Sequence, residues 1–84
     1  MRITFKLYAS LAQHLPPEAG GGNEVLIDVP TDATIADIIA PYQLPMKLVH
    51  LVLINGVYVE PKDRPSRTLN EGDVLAIWPP IAGG

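Results

Sequence analysis

Hydrophobic and polar residues alternate along two stretches near the N-terminus, as they do in strands that are buried on one face. Ile3, Phe5 and Leu7 alternate with polar neighbours, and a second alternation runs over residues 24–29. The two stretches predict a hairpin of half-buried strands. Between them, Ser10 is expected to cap a short helical turn.

The apolar run from Leu48 to Ile54, interrupted by His50, predicts a strand that is covered on both faces. Asn55-Gly56 follows it directly and favours a two-residue hairpin turn, because both positions of that turn need a positive φ. Residues 57–59 are then the returning strand. After a polar loop, the turn "NEGD" leads into a final strand over residues 74–78.

One helix is expected between the second and third strands. Thr34 and Asp37 have the spacing of a capping box, and Ile35, Ile38 and Ile39 fall on one helical face. Pro41 should end this helix, since proline cannot continue it.

The element order β-β-α-β-β-β predicts an α+β protein with a ubiquitin-like β-grasp fold. In that fold a mixed sheet of about five strands carries one main helix across it, and the last strand is inserted centrally. Other small α+β folds share a similar order, so the order alone leaves them open. The apolar stripes predict a core made of Ile3, Phe5, Leu7, Val25, Ile27, Ile35, Ile38, Val49, Leu51, Leu53 and Leu75.

Composition narrows the classes of function. The chain has 84 residues, a formal net charge of −3 and no cysteine, which excludes a disulfide scaffold, a thiolate metal site and a cysteine nucleophile within it. A net negative charge without a Lys/Arg cluster argues against nucleic acid, and the longest apolar run is too short to span a membrane. We expect one cytoplasmic domain over residues 1–78, followed by an extended tail over residues 79–84.

No catalytic constellation is visible in this domain. His14 and His50 are far apart in sequence, and neither has a partner at metal-ligand spacing, so no metal site is expected. The glycines 20–22 lack the flanking residues of a phosphate loop. Arg64 and Arg67 are expected in a solvated loop. Whether the chain is an enzyme stays open, because any chemistry would need a partner.

The C-terminal stretch "AIWPPIAGG" is the unusual part of the sequence. Pro79 and Pro80 fix φ near −65° and favour an extended path away from the domain. Trp78 and Ile81 are large apolar groups beside that path, suited either to capping the core or to docking in a groove of a partner.

Gly83 and Gly84 lack Cβ atoms and could therefore pass through a channel that is too narrow for side chains. A terminal carboxylate is inert until it is activated, commonly by adenylation with ATP. The domain has no nucleotide site of its own, so a partner enzyme would have to use the ATP, and no cofactor is expected to bind the chain itself.

Several motifs together resemble the MoaD/ThiS family of sulfur-carrier proteins, and most closely the small subunit of molybdopterin synthase. These are "WPPIAGG", "NEGDVLAIWPP", "NGVYV" and "FKLYASLA", and the resemblance covers essentially the whole chain. It implies that an E1-like enzyme adenylates Gly84 and that a sulfur donor, such as a persulfide protein, converts it to a thiocarboxylate. The tail would then enter the large subunit of the synthase, which moves the sulfur onto a pterin precursor.

The resemblance also implies roles for the other tail residues. Gly83 would be the thin link, Ile81 and Ala82 would line the channel, and the exit of the tail would be fixed by Trp78, Pro79 and Pro80.

Three alternatives stay open. The carrier could serve thiamine thiazole or another metabolite, or the chain could be a ubiquitin-like modifier that is conjugated to lysines. It could also be a β-grasp binding module in which the two terminal glycines have no role. The segment Ala12-Gln13-His14 and the Pro/Arg-rich loop after Val59 depart from typical small subunits, which bears on the sulfur acceptor rather than on the carrier chemistry.

Overall fold

A computed structural model describes residues 1–80 of the chain. It contains five strands and one α-helix: β1 Arg2–Leu7, β2 Glu24–Asp28, α1 Ile35–Ile39, β3 Leu51–Ile54, β4 Val57–Tyr58 and β5 Val74–Trp78. Short 3-10 helices lie at Ala9–His14, Pro17–Ala19, Ala40–Tyr42, Met46–Leu48 and Pro61–Asp63. The predicted order of strands and helix is confirmed.

The five strands form one mixed sheet in the order β2-β1-β5-β3-β4. β1 and β5 are parallel, and the other neighbouring pairs are antiparallel. The last strand of the chain therefore lies at the centre of the sheet, as predicted. Its residues are paired on both sides, with Leu75 beside Phe5 of β1 and beside Ile54 of β3.

The helix α1 begins at the predicted capping box. The Asp37 N–H donates to Thr34 Oγ1 at 3.1 Å, and the Thr34 N–H donates to Asp37 Oδ2 at 3.0 Å. The three isoleucines of α1 are buried against one face of the sheet. The helix has only five residues because Pro41 follows it within a 3-10 turn.

The third strand is shorter than predicted, and the expectation that both of its faces are covered is wrong. It starts at Leu51, and its side chains alternate, so that Val52 and Ile54 are buried whereas Leu51 is 36% exposed and Leu53 is partly exposed. The reason is the layering of the fold. The helix covers one face of the sheet, and no element within residues 1–80 covers the other.

The remaining core predictions are confirmed in position, although Val25 and Ile27 of the edge strand β2 are only partly buried. The predicted cap by Ser10 is wrong. The turn after β1 is a 3-10 helix that begins directly after Tyr8, with the Leu11 N–H donating to the Tyr8 carbonyl at 3.1 Å. Ser10 lies inside this helix, exposed to solvent.

Two turns that the sequence predicts separately are joined by side-chain hydrogen bonds. Asn55 and Gly56 have φ angles of 51° and 83°, which confirms the hairpin turn. Asn55 Nδ2 donates to Asp73 Oδ1 at 2.9 Å, and the Val74 N–H donates to Asn55 Oδ1 at 2.9 Å. The end of β3 is thereby fixed to the start of β5.

The same contacts favour the ionised form of Asp73. Its other carboxylate oxygen accepts the Asn70 backbone N–H at 2.8 Å. This bond and the one from Asn55 lower the pKa of Asp73 below its ordinary value, because both donors favour the ionised carboxylate.

Candidate functional site

The predicted site divides at residue 80. Ile81, Ala82, Gly83 and Gly84 lie outside the described residues, so their roles and the boundary between domain and tail stay predictions. Trp78 is the last residue of β5, Pro79 is buried and Pro80 is exposed. We call the segment 77–80 the root of the tail, because it is the part of the C-terminal stretch that the structure describes.

Backbone hydrogen bonds hold the root from both sides. The Tyr8 N–H donates to the Ile77 carbonyl at 3.1 Å, and the His50 N–H donates to the Trp78 carbonyl at 3.2 Å. Tyr8 directly follows β1 and His50 directly precedes β3, so the backbone contacts from both neighbours of β5 extend to its last two residues. The point at which the tail leaves the sheet is therefore fixed.

An aromatic stack also holds the root. The rings of Tyr8 and Trp78 are nearly parallel, with centroids 3.8 Å apart and an angle of 4° between their planes. Trp78 remains 38% exposed on the face of the sheet that α1 does not cover. Phe5, by contrast, is buried in the core, where its ring lies 4.9 Å from that of Tyr42.

The strand register extends this stack into an apolar surface. Leu51 is opposite Trp78, Leu53 is opposite Ala76, and on its other side Leu53 is opposite Tyr58. Residues opposite one another point to the same face of a sheet. We call this surface the outer patch; its residues are Tyr8, Leu51, Leu53, Tyr58, Ala76 and Trp78, of which Ala76 is only 9% exposed. Apolar surface that is exposed next to the root of the tail is typical of a site where another protein binds.

Within residues 1–80 no group of histidine and carboxylate side chains is placed to hold a metal ion, and no polar side chain is buried. His50 is exposed at the start of β3, and His14 is half-buried at the end of the first 3-10 helix. In the same residues, no helix is both long enough and apolar enough to cross a membrane. Residues 1–80 therefore offer a binding surface and a fixed point from which the tail begins.

A model of the ThiS family matches residues 9–84 of the chain, which is most of its length. The chain belongs to the ThiS family. The match covers the root and the residues that follow it, so the predicted MoaD/ThiS membership is confirmed. No curated relative matches the chain at a significant level.

Solved structures similar to this ThiS-family chain include SAMP1, the small archaeal modifier protein 1 of Haloferax volcanii. It is 28% identical, with a TM-score of 0.68 and coverage of 100% of both chains. The likeness confirms the predicted ubiquitin-like β-grasp fold and places the chain among sulfur carriers or ubiquitin-like modifiers.

Two further neighbours share the fold at lower identity. A putative molybdopterin converting factor, subunit 1, from Pyrococcus furiosus is 23% identical, with a TM-score of 0.65 and coverage of 96% of this chain and 99% of that chain. A complex of subunits 1 and 2 of the molybdopterin-converting factor from Helicobacter pylori contains a chain that is 19% identical, with a TM-score of 0.61 and full coverage of both chains.

One residue of this ThiS-family chain that contributes to the root was not recognised from its sequence. Arg64 was expected in a solvated loop, but its guanidinium donates to the carbonyls of Val59 at 3.1 Å, Val49 at 3.3 Å and His50 at 2.9 Å. Because the N–H of His50 holds Trp78, Arg64 stabilises the segment beside the root. A lone arginine in a polar loop gave no signal of this contact.

Proposed function

We propose that this chain is a sulfur carrier for molybdopterin biosynthesis and that the carboxylate of Gly84 carries the sulfur. The observation that carries the proposal is the root itself. Trp78 ends the central strand of the sheet, five and six residues before the two glycines with which the family match ends. A rigid root beside an exposed apolar surface suits a tail that must enter the site of another protein.

The proposed chemistry takes place in partners. An E1-like enzyme would transfer AMP from ATP to the Gly84 carboxylate, with pyrophosphate as the leaving group. The outer sulfur of a protein persulfide would then attack the acyl carbon and displace AMP. A thiol would cleave the resulting disulfide and leave a thiocarboxylate on Gly84. No step needs a side chain of residues 1–80.

We further propose that the outer patch docks the large subunit of the synthase. The complex of subunits 1 and 2 from Helicobacter pylori, whose smaller partner shares this fold, supports a partner of that kind. The outer patch is apolar and contains Trp78, so the surface that binds the partner would be continuous with the tail that enters it. Leu51, which lies opposite Trp78 in this surface, is 36% exposed.

The first experiment measures the intact mass of the chain after incubation with ATP, an E1-like activator and a persulfide donor from its host. We expect a mass increase equal to the replacement of one oxygen by sulfur, and we expect the increase to be lost when Gly84 is deleted. The activator is first shown to be competent on a known carrier. An unchanged mass of the intact chain under those conditions would contradict the carrier proposal.

A second experiment tests the docking surface with a matched pair of variants. Leu51→Glu places a charge in the outer patch, whereas Met46→Glu places one on a residue that is 67% exposed outside the sheet. We expect Leu51→Glu to weaken binding of the large subunit by roughly tenfold or more and Met46→Glu to leave it within about twofold. Equal effects of the two variants would show that the partner binds elsewhere.

A ubiquitin-like modifier is the second candidate function, because the chain is similar to small archaeal modifier protein 1 of Haloferax volcanii. Activation of Gly84 would be the same, but the acyl group would end on a lysine amine, with AMP as the leaving group. Larger covalent adducts of the chain in host extract, lost on deletion of Gly84, would support this function. Thiocarboxylate without adducts would support the carrier alone.

A further inference from the structure

The edge strand β2 presents backbone groups that no other strand in residues 1–80 uses. β2 pairs only with β1, and it ends the sheet on that side. Next to it, the Val29 N–H donates to the Met1 carbonyl at 2.8 Å, and the Met1 amine donates back to the Val29 carbonyl at 2.7 Å. In an antiparallel pair such bonded positions alternate with outward-facing ones. The N–H and C=O groups of Glu24, Leu26 and Asp28 therefore point away from the sheet.

A groove of about 450 Å³ lies beside the C-terminal end of this edge, between Ile27 and Asp28 of β2, the loop over residues 29–33, and α1. Its walls are mostly apolar and include Ile27, Val29, Ile38, Pro41 and Tyr42. The groove opens on the side of the sheet that α1 covers, whereas Leu26, 62% exposed, points to the opposite side. A strand that paired with β2 would thus place alternate side chains over the groove and beside Leu26.

The charges around the groove indicate what kind of strand would fit. Asp28, Asp32 and Asp37 are part of its rim, and only Asp28 has a cationic partner within residues 1–80, with Arg2 Nε 3.1 Å from its carboxylate. The Asp37 carboxylate accepts the N–H of Thr34, the residue before α1, and no cation within residues 1–80 forms an ion pair with it. The rim is therefore acidic and favours a basic segment.

The same charges disfavour a second copy of this chain. If two β2 strands paired antiparallel with Leu26 opposite Leu26, Glu24 of one copy would lie opposite Asp28 of the other. Within each copy Lys6 and Arg2 offset part of these two charges, at 3.8 Å and 3.1 Å. Like charges directly opposite one another in a sheet are destabilising. The acidic rims of the two copies would also approach each other. A second copy is therefore a poorer occupant than a basic peptide.

We propose that β2 and the adjacent groove form a docking site for an extended, basic segment of a partner protein, which adds to the sheet as a sixth strand. Main-chain hydrogen bonds to the edge of β2 would supply the pairing, and alternate apolar side chains would fill the groove. This site is distinct from the outer patch, which lies on the other face of the sheet around β3 and β5. A partner at β2 would leave the root of the tail accessible.

A synthetic peptide tests the proposal directly on the full chain. The probe has nine residues: two lysines, five residues that alternate valine and threonine, and two lysines. Its matched control has glutamates in place of the lysines. With ¹⁵N-labelled protein, we expect the lysine peptide to shift the Leu26 and Asp28 amides most and to slow their hydrogen exchange. The glutamate peptide should bind at least roughly tenfold more weakly than the lysine peptide.

Two substitutions at one position separate pairing from side-chain contact. Leu26→Pro removes an outward-facing N–H, which an edge strand tolerates, whereas Leu26→Thr keeps it. We expect Leu26→Pro to lower the affinity for the lysine peptide by roughly tenfold and Leu26→Thr to change that affinity by about twofold or less. If Leu26→Pro does not fold, the slowed exchange of the Leu26 and Asp28 amides in the unaltered chain decides the question.

Several results would overturn the proposal. These are shifts centred on Trp78 and Leu51 instead of β2, equal binding of the two peptides, or equal binding by the two Leu26 variants in their folded form. Absence of any shift at about 1 mM peptide, the weak end of specific affinity, would also overturn it. So would concentration-dependent self-association through β2, since that would assign the edge to a second copy.

Discussion

Replacement of Arg64 by alanine is expected to destabilise the protein more than replacement of any other charged residue in the loop after β4. The guanidinium donates to three backbone carbonyls from two separate segments, those of Val59, Val49 and His50. It also lies 5.9 Å from the centroid of the Tyr58 ring. Alanine removes the donors and leaves the acceptors in place, which is the costly way to break a hydrogen bond.

The size of the expected loss of stability depends on whether water can reach each of those carbonyls. The bonds to Val59 and Val49 are partly buried, whereas the bond to His50 is exposed, so water can replace the third donor. A hydrogen bond with a charged partner contributes about 1.5–3 kcal/mol where it is protected, and the distance of 3.3 Å to Val49 places that bond at the weak end. We expect Arg64→Ala to lower the free energy of unfolding by about 2–3 kcal/mol, which lowers Tm by roughly 10–20 °C in a domain of this size.

The assay is urea unfolding followed by fluorescence of Trp78, the single tryptophan of the chain. Arg67→Ala is the matched control, because the Arg67 side chain donates only to the exposed carbonyl of its neighbour Thr68, at 3.3 Å. It should cost about 0.5 kcal/mol or less. Arg64→Lys keeps the charge but not the planar fork, so it should recover roughly half of the loss. Losses at Arg64 and Arg67 that agree within about 0.5 kcal/mol would refute this account of the loop.

Three further predictions concern the root, a turn and the helix. Tyr8→Ala removes the stack, so it should shift Trp78 emission to longer wavelength and cost about 1–2 kcal/mol in urea unfolding. Tyr58→Ala is the control and should leave the emission unchanged. Equal emission spectra for the two variants would contradict the stack. The lowered pKa of Asp73 means that the stability it contributes is present above about pH 4 and is lost as the pH falls through that lowered pKa. Asp73→Asn should therefore cost about 1 kcal/mol at pH 7 and progressively less below about pH 4, and a cost independent of pH in urea unfolding would argue against it. Thr34→Ala should cost about 1 kcal/mol of stability in thermal unfolding, and Thr34→Ser, which keeps the hydroxyl, about a few tenths. Equal losses of stability for the two variants would show that the capping box contributes nothing.

Local patterns in the sequence were sufficient for the elements of the fold. The alternation around Phe5, the Asn55-Gly56 turn and the capping box at Thr34 each depend on a few neighbouring residues, and each is found in the structure. The central position of β5 is not a local property. It was expected from the element order and the resemblance, and the sheet order confirms it.

Two features of the structure were not predicted from the sequence, because one depends on how the helix and the sheet are layered and the other on contacts between residues distant in sequence. The run around Leu51 is apolar enough for a strand covered on both faces, but the single short helix covers only one face, so Leu51 becomes part of an exposed surface. Arg64 meets Val49 and His50 across a gap of about fifteen residues, and polar composition does not distinguish an arginine that solvates a loop from one that ties it down.

The parallel pairing of β1 with β5 explains how the root is held in place. In a parallel pair the carboxyl ends of both strands lie at the same end of the sheet. Tyr8, which follows β1, therefore lies beside Ile77 and stacks on Trp78. An antiparallel neighbour would bring the start of its strand there instead, as β3 does with His50. The root is thus held by residues that belong to the sheet itself. A partner that binds the outer patch therefore meets an ordered exit point, and the entropy of fixing the root is lost during folding rather than during binding.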